Sequence, residues 1–150
     1  MIALLAACAP SPDAQTSLAD LQIGYGSAEP NEGGELPAIL PGRPDFHATD
    51  PQSVVFASGR VQFIEFFAYW CSVCKAMAPT VHGLENLYGE QVEFIYLDRD
   101  DPATLPLQEI LGYIYQPHFF LLDEDGKVLG EWRGYVDGEL LQAALVEATE

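Results

Sequence analysis

Two of the three cysteines stand three residues apart, as Cys71-Ser72-Val73-Cys74, where an apolar stretch gives way to a helical pattern. Free backbone N–H groups and the helix dipole at a helix N-terminus favour an anion, so they lower the pKa of a thiol placed there. This position predicts a nucleophilic thiolate at Cys71. Cys74, one helical turn further on, is close enough to attack a mixed disulfide formed by Cys71. The pair therefore predicts dithiol–disulfide exchange.

The elements that must position this motif follow from the hydrophobic pattern. Residues 61–68 are apolar at nearly every position, which predicts a central strand buried on both faces. Residues 74–88 carry apolar side chains at a helical period and stop at Gly89. The rest predicts a helix at 51–57, a strand at 92–97, a helix at 101–111, hairpin strands at 119–122 and 127–132, and a last helix capped by Asp137. This order predicts an α/β fold with a central mixed sheet flanked by helices on both faces.

The stretch EFFAYWCSVCKAMAP, residues 65–79, resembles the active-site region of the thioredoxin family. In that family a Trp precedes the first Cys, a Lys follows the second, and a Pro lies five residues beyond it. The sequence QPHFF, residues 116–120, resembles the family's cis-proline loop, and Gly134 stands where the family keeps a glycine. The resemblance covers residues 46–148 and implies the thioredoxin fold. It is nearest to membrane-anchored thioredoxin-like proteins that work outside the cytosol.

The resemblance also implies roles for three residues of the reaction centre. Cys71 would be the attacking thiol and Cys74 the resolving thiol. Glu65 takes the place of the family's buried acid, and a carboxyl group buried in an apolar strand has a raised pKa and can accept the Cys74 proton. The family's lysine partner of that acid is replaced by Tyr96, so Glu65 is expected to lack a charge partner.

Four further residues are expected to form a substrate groove. Pro117 would be cis and lie against the cysteine pair, which leaves the backbone of Gln116 free to pair with a substrate strand. Trp70 would form an apolar wall, and His118 is expected to be a groove residue. The resemblance implies substrates that are proteins with cysteine pairs. It implies no cofactor beyond the redox-active Cys71–Cys74 disulfide.

The N-terminus carries a second motif. Leu5-Ala6-Ala7-Cys8 resembles the lipobox of bacterial lipoproteins, in which the Cys becomes lipidated. A basic start is missing and only seven residues precede Cys8, so a signal segment shortened at its start and a chance match are both open. The first reading predicts an extracytoplasmic protein held at a membrane only through a lipid on Cys8.

Composition divides the rest of the chain. Residues 9–45 are rich in proline and glycine, which predicts a tether between the signal segment at 1–8 and a thioredoxin-like domain at 46–150. The alternative is a tail that covers part of the domain through Leu36, Ile39 and Leu40.

The charge excludes one class of partner. Six basic residues stand against 23 acidic ones, a net charge of −17, and such a field repels the phosphates of nucleic acids. No apolar run is long enough for a transmembrane helix.

The direction of electron flow is predicted from what the motif lacks. Ser72 and Val73 put no positive charge beside the thiolate, which favours a reductant or electron relay over an oxidant. Such a reductant outside the cytosol needs a transmembrane electron donor, and the family resemblance points to cytochrome c assembly or disulfide correction.

A disulfide-forming oxidase or isomerase is the first alternative function. A copper or zinc carrier using the two cysteines and a binding module without redox activity are the others, although zinc prefers four ligands and no second such motif exists.

Overall fold

The strand that leads into the cysteine motif forms the middle of a mixed sheet. The computed structural model describes residues 35–150, with strands β1 (Val61–Phe67), β2 (Val92–Asp98), β3 (His118–Leu122) and β4 (Val128–Arg133). They lie in the order β2-β1-β3-β4, with β1 and β2 parallel and the other neighbours antiparallel. Every residue of β1 is buried, as its apolar pattern predicts.

Helices cover both faces of this sheet, which confirms the predicted architecture. On one face α1 (Ser72–Tyr88) and α3 (Gly138–Thr149) pack against Phe63, Phe67, Phe119 and Leu121. Both cysteines belong to this group, which we call the cysteine-side cluster. On the other face α2 (Leu105–Leu111) packs against the far-side cluster, formed by Ile64, Phe66, Ile95, Leu97, Phe120 and Leu122.

Helix α1 begins at Ser72, two residues earlier than the pattern predicts, and Cys71 is its N-cap. It ends at Tyr88 with Gly89 as the C-cap, as predicted. Pro79 lies inside the helix and has no N–H to donate, but its carbonyl group accepts a 2.7 Å hydrogen bond from the Gly42 N–H. Residues 68–71 alone connect the end of β1 to the start of α1, so the cysteine motif lies at this junction.

The predicted helix at 51–57 is wrong. Asp50 caps a short 3₁₀ helix over Pro51–Ser53, and Val54 already has an extended backbone. Val54 and Phe56 are partly buried against the far-side cluster, so burying them outweighs one more helical turn. The predicted helix at 101–111 is instead a 3₁₀ helix at Pro102–Thr104 followed by α2.

The packed unit extends back to Pro37 and so includes part of the predicted tether. Residues 37–46, which we call the strap, run across α1 and α3. Gln142 donates to the Pro37 carbonyl over 2.8 Å, Ile39 packs against the cysteine-side cluster, and Phe46 stacks on Phe67 at 4.2 Å between ring centroids. The alternative prediction, a tail that covers part of the domain, therefore describes residues 37–46. Of the three side chains expected to make this contact, Ile39 packs against the domain, whereas Leu36 and Leu40 are exposed.

Cys8, the signal segment at 1–8 and the rest of the tether up to residue 34 lie outside the described residues. Within residues 35–150, none of the helices combines the length and the apolar character needed to cross a bilayer.

Candidate active site

The two cysteines of the motif form a disulfide at the first turn of α1. Their Cα atoms are 5.3 Å apart. The Cys74 backbone N–H donates a 3.1 Å hydrogen bond to the Cys71 sulfur, which acts as the cap of the helix. Cys71 keeps 6% of its surface exposed, whereas Cys74 has none. A substrate can therefore reach the Cys71 sulfur first, and a donor already points at that sulfur to stabilise a negative charge.

Glu65 is an acid enclosed in the core. It has no exposed surface, and neither carboxyl oxygen has a hydrogen-bond partner among the described residues. Burial raises its pKa to about 8. Its neighbours at alternate positions, Phe63 and Phe67, belong to the cysteine-side cluster, so Glu65 also faces that side of the sheet.

The residue opposite Glu65 does not compensate its charge. Tyr96 is the register partner of Glu65 on β2, but its hydroxyl group donates to the Glu85 carboxylate over 3.0 Å. Burial, ahead of the nearby carboxylates, raises the pKa of Tyr96 far above its usual range. Glu65 therefore has neither a cation nor a hydrogen-bond donor beside it within residues 35–150.

The loop before β3 has the form that the sequence resemblance implies. The Gln116–Pro117 peptide bond is cis, and Pro117 is buried. Its carbonyl group accepts a 2.8 Å hydrogen bond from Gly134, whose φ of 71° favours a glycine. The side chain of Gln116 accepts a 2.5 Å hydrogen bond from the Tyr113 hydroxyl group.

Trp70 is held beside the disulfide with most of its ring in solvent. Its side chain is 62% exposed, and its indole N–H donates a 2.6 Å hydrogen bond to Asp100. Asp100 in turn pairs with Arg99 at 3.1 Å. Sequence reasoning missed Asp100 because only the fold brings two residues 30 positions apart into contact. A restrained, exposed aromatic ring next to Cys71 offers an apolar surface to a substrate.

The structure places His118 elsewhere than the sequence predicts. Its side chain is completely buried, so it is not a groove residue. Its ring contacts those of Phe120 and Tyr113, at 4.2 Å and 5.9 Å between centroids, on the face of the far-side cluster. Successive side chains of β3 point to opposite faces of the sheet, so His118 and Phe120 lie on one face and Phe119 lies on the other.

The two buried histidines lie apart from the cysteine pair, so they do not complete a metal site with it. His82 contacts Phe46 and Tyr96, and its Nδ1 lies 2.6 Å from the Arg43 carbonyl oxygen, whereas His118 is on the opposite face of the sheet. Within residues 35–150, no three His, Cys, Asp or Glu side chains come together as a metal site would require.

Comparison with known proteins agrees with this geometry. The thioredoxin family model matches residues 47–147. The thiol:disulfide interchange protein TxlA of Synechococcus elongatus is 31% identical over 131 residues, which cover 84% of this chain and 64% of that protein. The TxlA homolog of Synechocystis is 39% identical over 83 residues, which cover 54% of this chain and 45% of that protein. The match thus spans about half to two thirds of these curated relatives.

Solved structures give the same result for the fold. The thioredoxin of Malassezia sympodialis superimposes with a TM-score of 0.54 and is 26% identical, over 62% of this chain and 78% of that one. The family match covers the sheet, the cysteine motif and the cis-proline loop. The chain therefore belongs to the thioredoxin family.

Proposed function

We propose that this chain is a thiol–disulfide oxidoreductase that acts on the cysteine pairs of other proteins. The observation that carries the proposal is the Cys71–Cys74 disulfide at the start of α1, with the Cys74 N–H directed at the Cys71 sulfur. Both matched TxlA proteins are named for thiol:disulfide interchange, which supports the same activity here.

The proposed reduction proceeds in two steps. In the dithiol form, the Cys71 thiolate attacks one sulfur of the substrate disulfide. The substrate S–S bond breaks, a mixed disulfide forms, and the released substrate thiolate takes up a proton from water. Cys74 then loses its proton and attacks the Cys71 sulfur, which releases the second substrate thiolate. Two electrons have passed to the substrate, and the Cys71–Cys74 disulfide has been formed.

Glu65 is assigned the proton transfer in the second step. Cys74 has no exposed surface, so its proton needs an internal acceptor. Because the pKa of Glu65 is about 8, roughly a tenth of the molecules carry the ionised acceptor at pH 7. In the reverse direction the protonated form, which dominates at neutral pH, can return the proton to the leaving Cys74 thiolate.

The direction proposed for the cell is reduction or electron relay. Neither Ser72 nor Val73 stabilises the Cys71 thiolate with a charge, so the dithiol form is less favoured than in a strong oxidant. The proposed substrates are oxidised protein cysteine pairs, in cytochrome c assembly or disulfide correction, and the proposed electron source is a transmembrane donor.

The test of the exchange activity is trapping of the mixed disulfide. Cys74→Ser should accumulate mixed disulfides with substrate proteins, because the first step proceeds and the second is blocked. Cys71→Ser is the matched control and should trap none. Non-reducing gels and mass spectrometry of alkylated samples measure both variants. Equal trapping by the two variants would contradict the assigned order of attack.

The proposed location is extracytoplasmic, with a lipid on Cys8. One acyl chain binds a bilayer only marginally, so a stable anchor needs several chains. With a complete signal segment supplied, the wild-type chain should fractionate with membranes, and Cys8→Ser should be released. Intact mass measures the acyl chains directly. A wild-type protein that carries no acyl chain and stays in the aqueous fraction would refute the anchor.

A further inference from the structure

His118 is a buried histidine that the proposed exchange reaction does not use. It is the first residue of β3, directly after Pro117, and it has no exposed surface. Its ring lies between apolar neighbours of the far-side cluster and two charged residues of β4. Glu131 Oε1 is 2.9 Å from the ring Nε2, and Arg133 Nε is 3.2 Å from the same atom.

The hydrogen bonds of the ring fix its protonation. The Ile114 backbone N–H points at Nδ1 over 3.3 Å, so Nδ1 must offer a lone pair. The ring hydrogen is then on Nε2 and is donated to Glu131. The Arg133 Nε–H also points at Nε2 over 3.2 Å, and a neutral ring cannot accept from both Ile114 and Arg133. We infer the ring with its hydrogen on Nε2, because it satisfies both Ile114 and Glu131 while Arg133 keeps its own hydrogen bond to Glu131. The protonated ring cannot accept from Ile114.

The bond from Ile114 is the backbone anchor of the loop at residues 114–116, whose Gln116 side chain also accepts from the Tyr113 hydroxyl group. Within the described residues, the backbone of residues 114–116 makes no other hydrogen bond inside the protein, and the Ile114 and Tyr115 side chains are exposed. The pairing of Phe66 with His118 places the start of β3 beside the end of β1, which continues into Cys71. The loop therefore lies next to the residues that carry the disulfide.

We propose that His118 is a positioning residue that fixes this loop through its Nδ1 atom, and that it does so only while the imidazole is neutral. A proton on Nδ1 would turn the acceptor into a donor that faces the Ile114 N–H. The loop would then lose its anchor, although the cysteines themselves would be unchanged. This proposal rests on the proposed function, since it makes the docking of a protein disulfide dependent on pH.

Burial and the charges around the ring together set the pH at which His118 takes up a proton. Glu131 favours the imidazolium and Arg133 opposes it, both from β4. The other neighbours of His118 are Tyr113 and Phe120, whose rings contact its own, and Phe66, its register partner on β1; only Tyr113 among them is ionisable. Desolvation, the largest effect, lowers the pKa of His118 below its ordinary value of 6.5. The loop is therefore anchored at neutral pH and released on acidification.

The dependence of the Ile114 hydrogen bond on His118 protonation is tested by NMR on the oxidised protein without substrate. As the pH falls from 7.5, the Ile114 amide signal should titrate with the same midpoint as the His118 ring, below pH 6.5. Glu131→Gln should move this midpoint down and Arg133→Gln should move it up, each by about 0.5 to 1 pH unit. Both side chains are 39% exposed, so neither change threatens the fold. An Ile114 amide that ignores the His118 titration, or shifts of the same sign in both variants, would overturn the proposal.

The functional part is tested with insulin as the disulfide substrate. In the wild type, KM at a pH below the midpoint measured by NMR should exceed KM at pH 7.5 by roughly five- to tenfold, the effect of one lost hydrogen bond. In His118→Asn, whose amide oxygen accepts from Ile114 without titrating, the ratio should approach one, while kcat keeps the wild-type pH profile. An equal KM ratio in both proteins would contradict the proposal. If insulin is not reduced at any pH, the proposed function fails, and the amide titration still decides the role of His118.

Discussion

Glu65 is an acid whose protonation is set by exclusion from water alone. It has no hydrogen-bond partner and no cation beside it in the described residues, so its pKa of about 8 comes from desolvation. An apolar residue would pack in the same strand without this penalty. The carboxyl group is therefore expected to have a chemical task, and we propose that this task is the transfer of the Cys74 proton.

The change Glu65→Gln should slow the second step of exchange and leave the first nearly unaltered. General acid–base catalysis typically contributes on the order of 10²-fold or more, so a loss of that size is expected in resolution. The wild-type rate of resolution should rise with pH up to about 8, as the carboxyl group ionises, and the variant should lose this rise. Stopped-flow fluorescence of Trp70, next to Cys71, follows both steps.

Glu109→Gln, an exposed position on α2, is the matched control and should leave both steps unchanged. If Glu65→Gln keeps the wild-type rate and pH profile of resolution, the carboxyl group is only a structural feature.

At the same scale, the position of the candidate residues in the fold was easier to predict from the sequence than the contacts around them. The two cysteines, Glu65 and Pro117 stand in contexts that the chain order reveals. The side of the sheet that His118 faces could also have been predicted from alternation with Phe119. Its partners Glu131 and Arg133 could not, because strand register across the β3–β4 hairpin brings them to the ring.

The strap is the element that sequence reasoning placed least well. Its prolines and glycines predict no regular structure, and it forms none, but composition says nothing about whether an extended segment packs. Two glycines make the packing possible. A Cβ atom on Gly42 would lie 2.5 Å from the carbonyl carbon of His82, and one on Gly83 would clash with the Leu40 carbonyl oxygen. The backbones of the strap and α1 therefore touch directly.

Gly83→Ala should lower the free energy of unfolding by roughly 1–3 kcal/mol, although alanine is the better helix former. The new methyl group would also meet Ile39 at 2.9 Å and force the strap away from α1. Urea unfolding measures the loss. Asn86→Ala, an exposed position one turn later, should change stability by less than about 0.5 kcal/mol. A Gly83→Ala protein as stable as the wild type would mean that the strap contributes little.

At the scale of the whole molecule, the net charge is expected to lower the reduction potential of the cysteine pair. A net charge of −17 opposes the formation of a further anion at Cys71. The Cys74 N–H favours that anion, but it acts on one atom at short range. We therefore expect a thiolate that is less stabilised than in strong oxidants and a disulfide that is harder to reduce.

The reduction potential of the Cys71–Cys74 pair should accordingly lie nearer to about −270 mV than to about −120 mV, the values for thioredoxin and for a dedicated disulfide donor. Equilibration in glutathione or dithiothreitol buffers with thiol trapping measures it. Val73→His is the matched variant and should raise the potential, because an imidazolium beside Cys71 stabilises the thiolate. A wild-type value near that of the disulfide donor would favour the oxidase alternative.

One sulfur atom both caps helix α1 and carries the chemistry. The Cys71 Sγ accepts from the Cys74 N–H, a task that serine performs well at a helix N-cap and alanine performs poorly. Replacing Cys71 by serine therefore removes the nucleophile while keeping the first turn of the helix closed. Replacing it by alanine removes both, at a cost of about 1 kcal/mol in helix stability. A loss of partner binding in an alanine variant would mix frayed structure with lost reactivity, and only the serine variant separates the two.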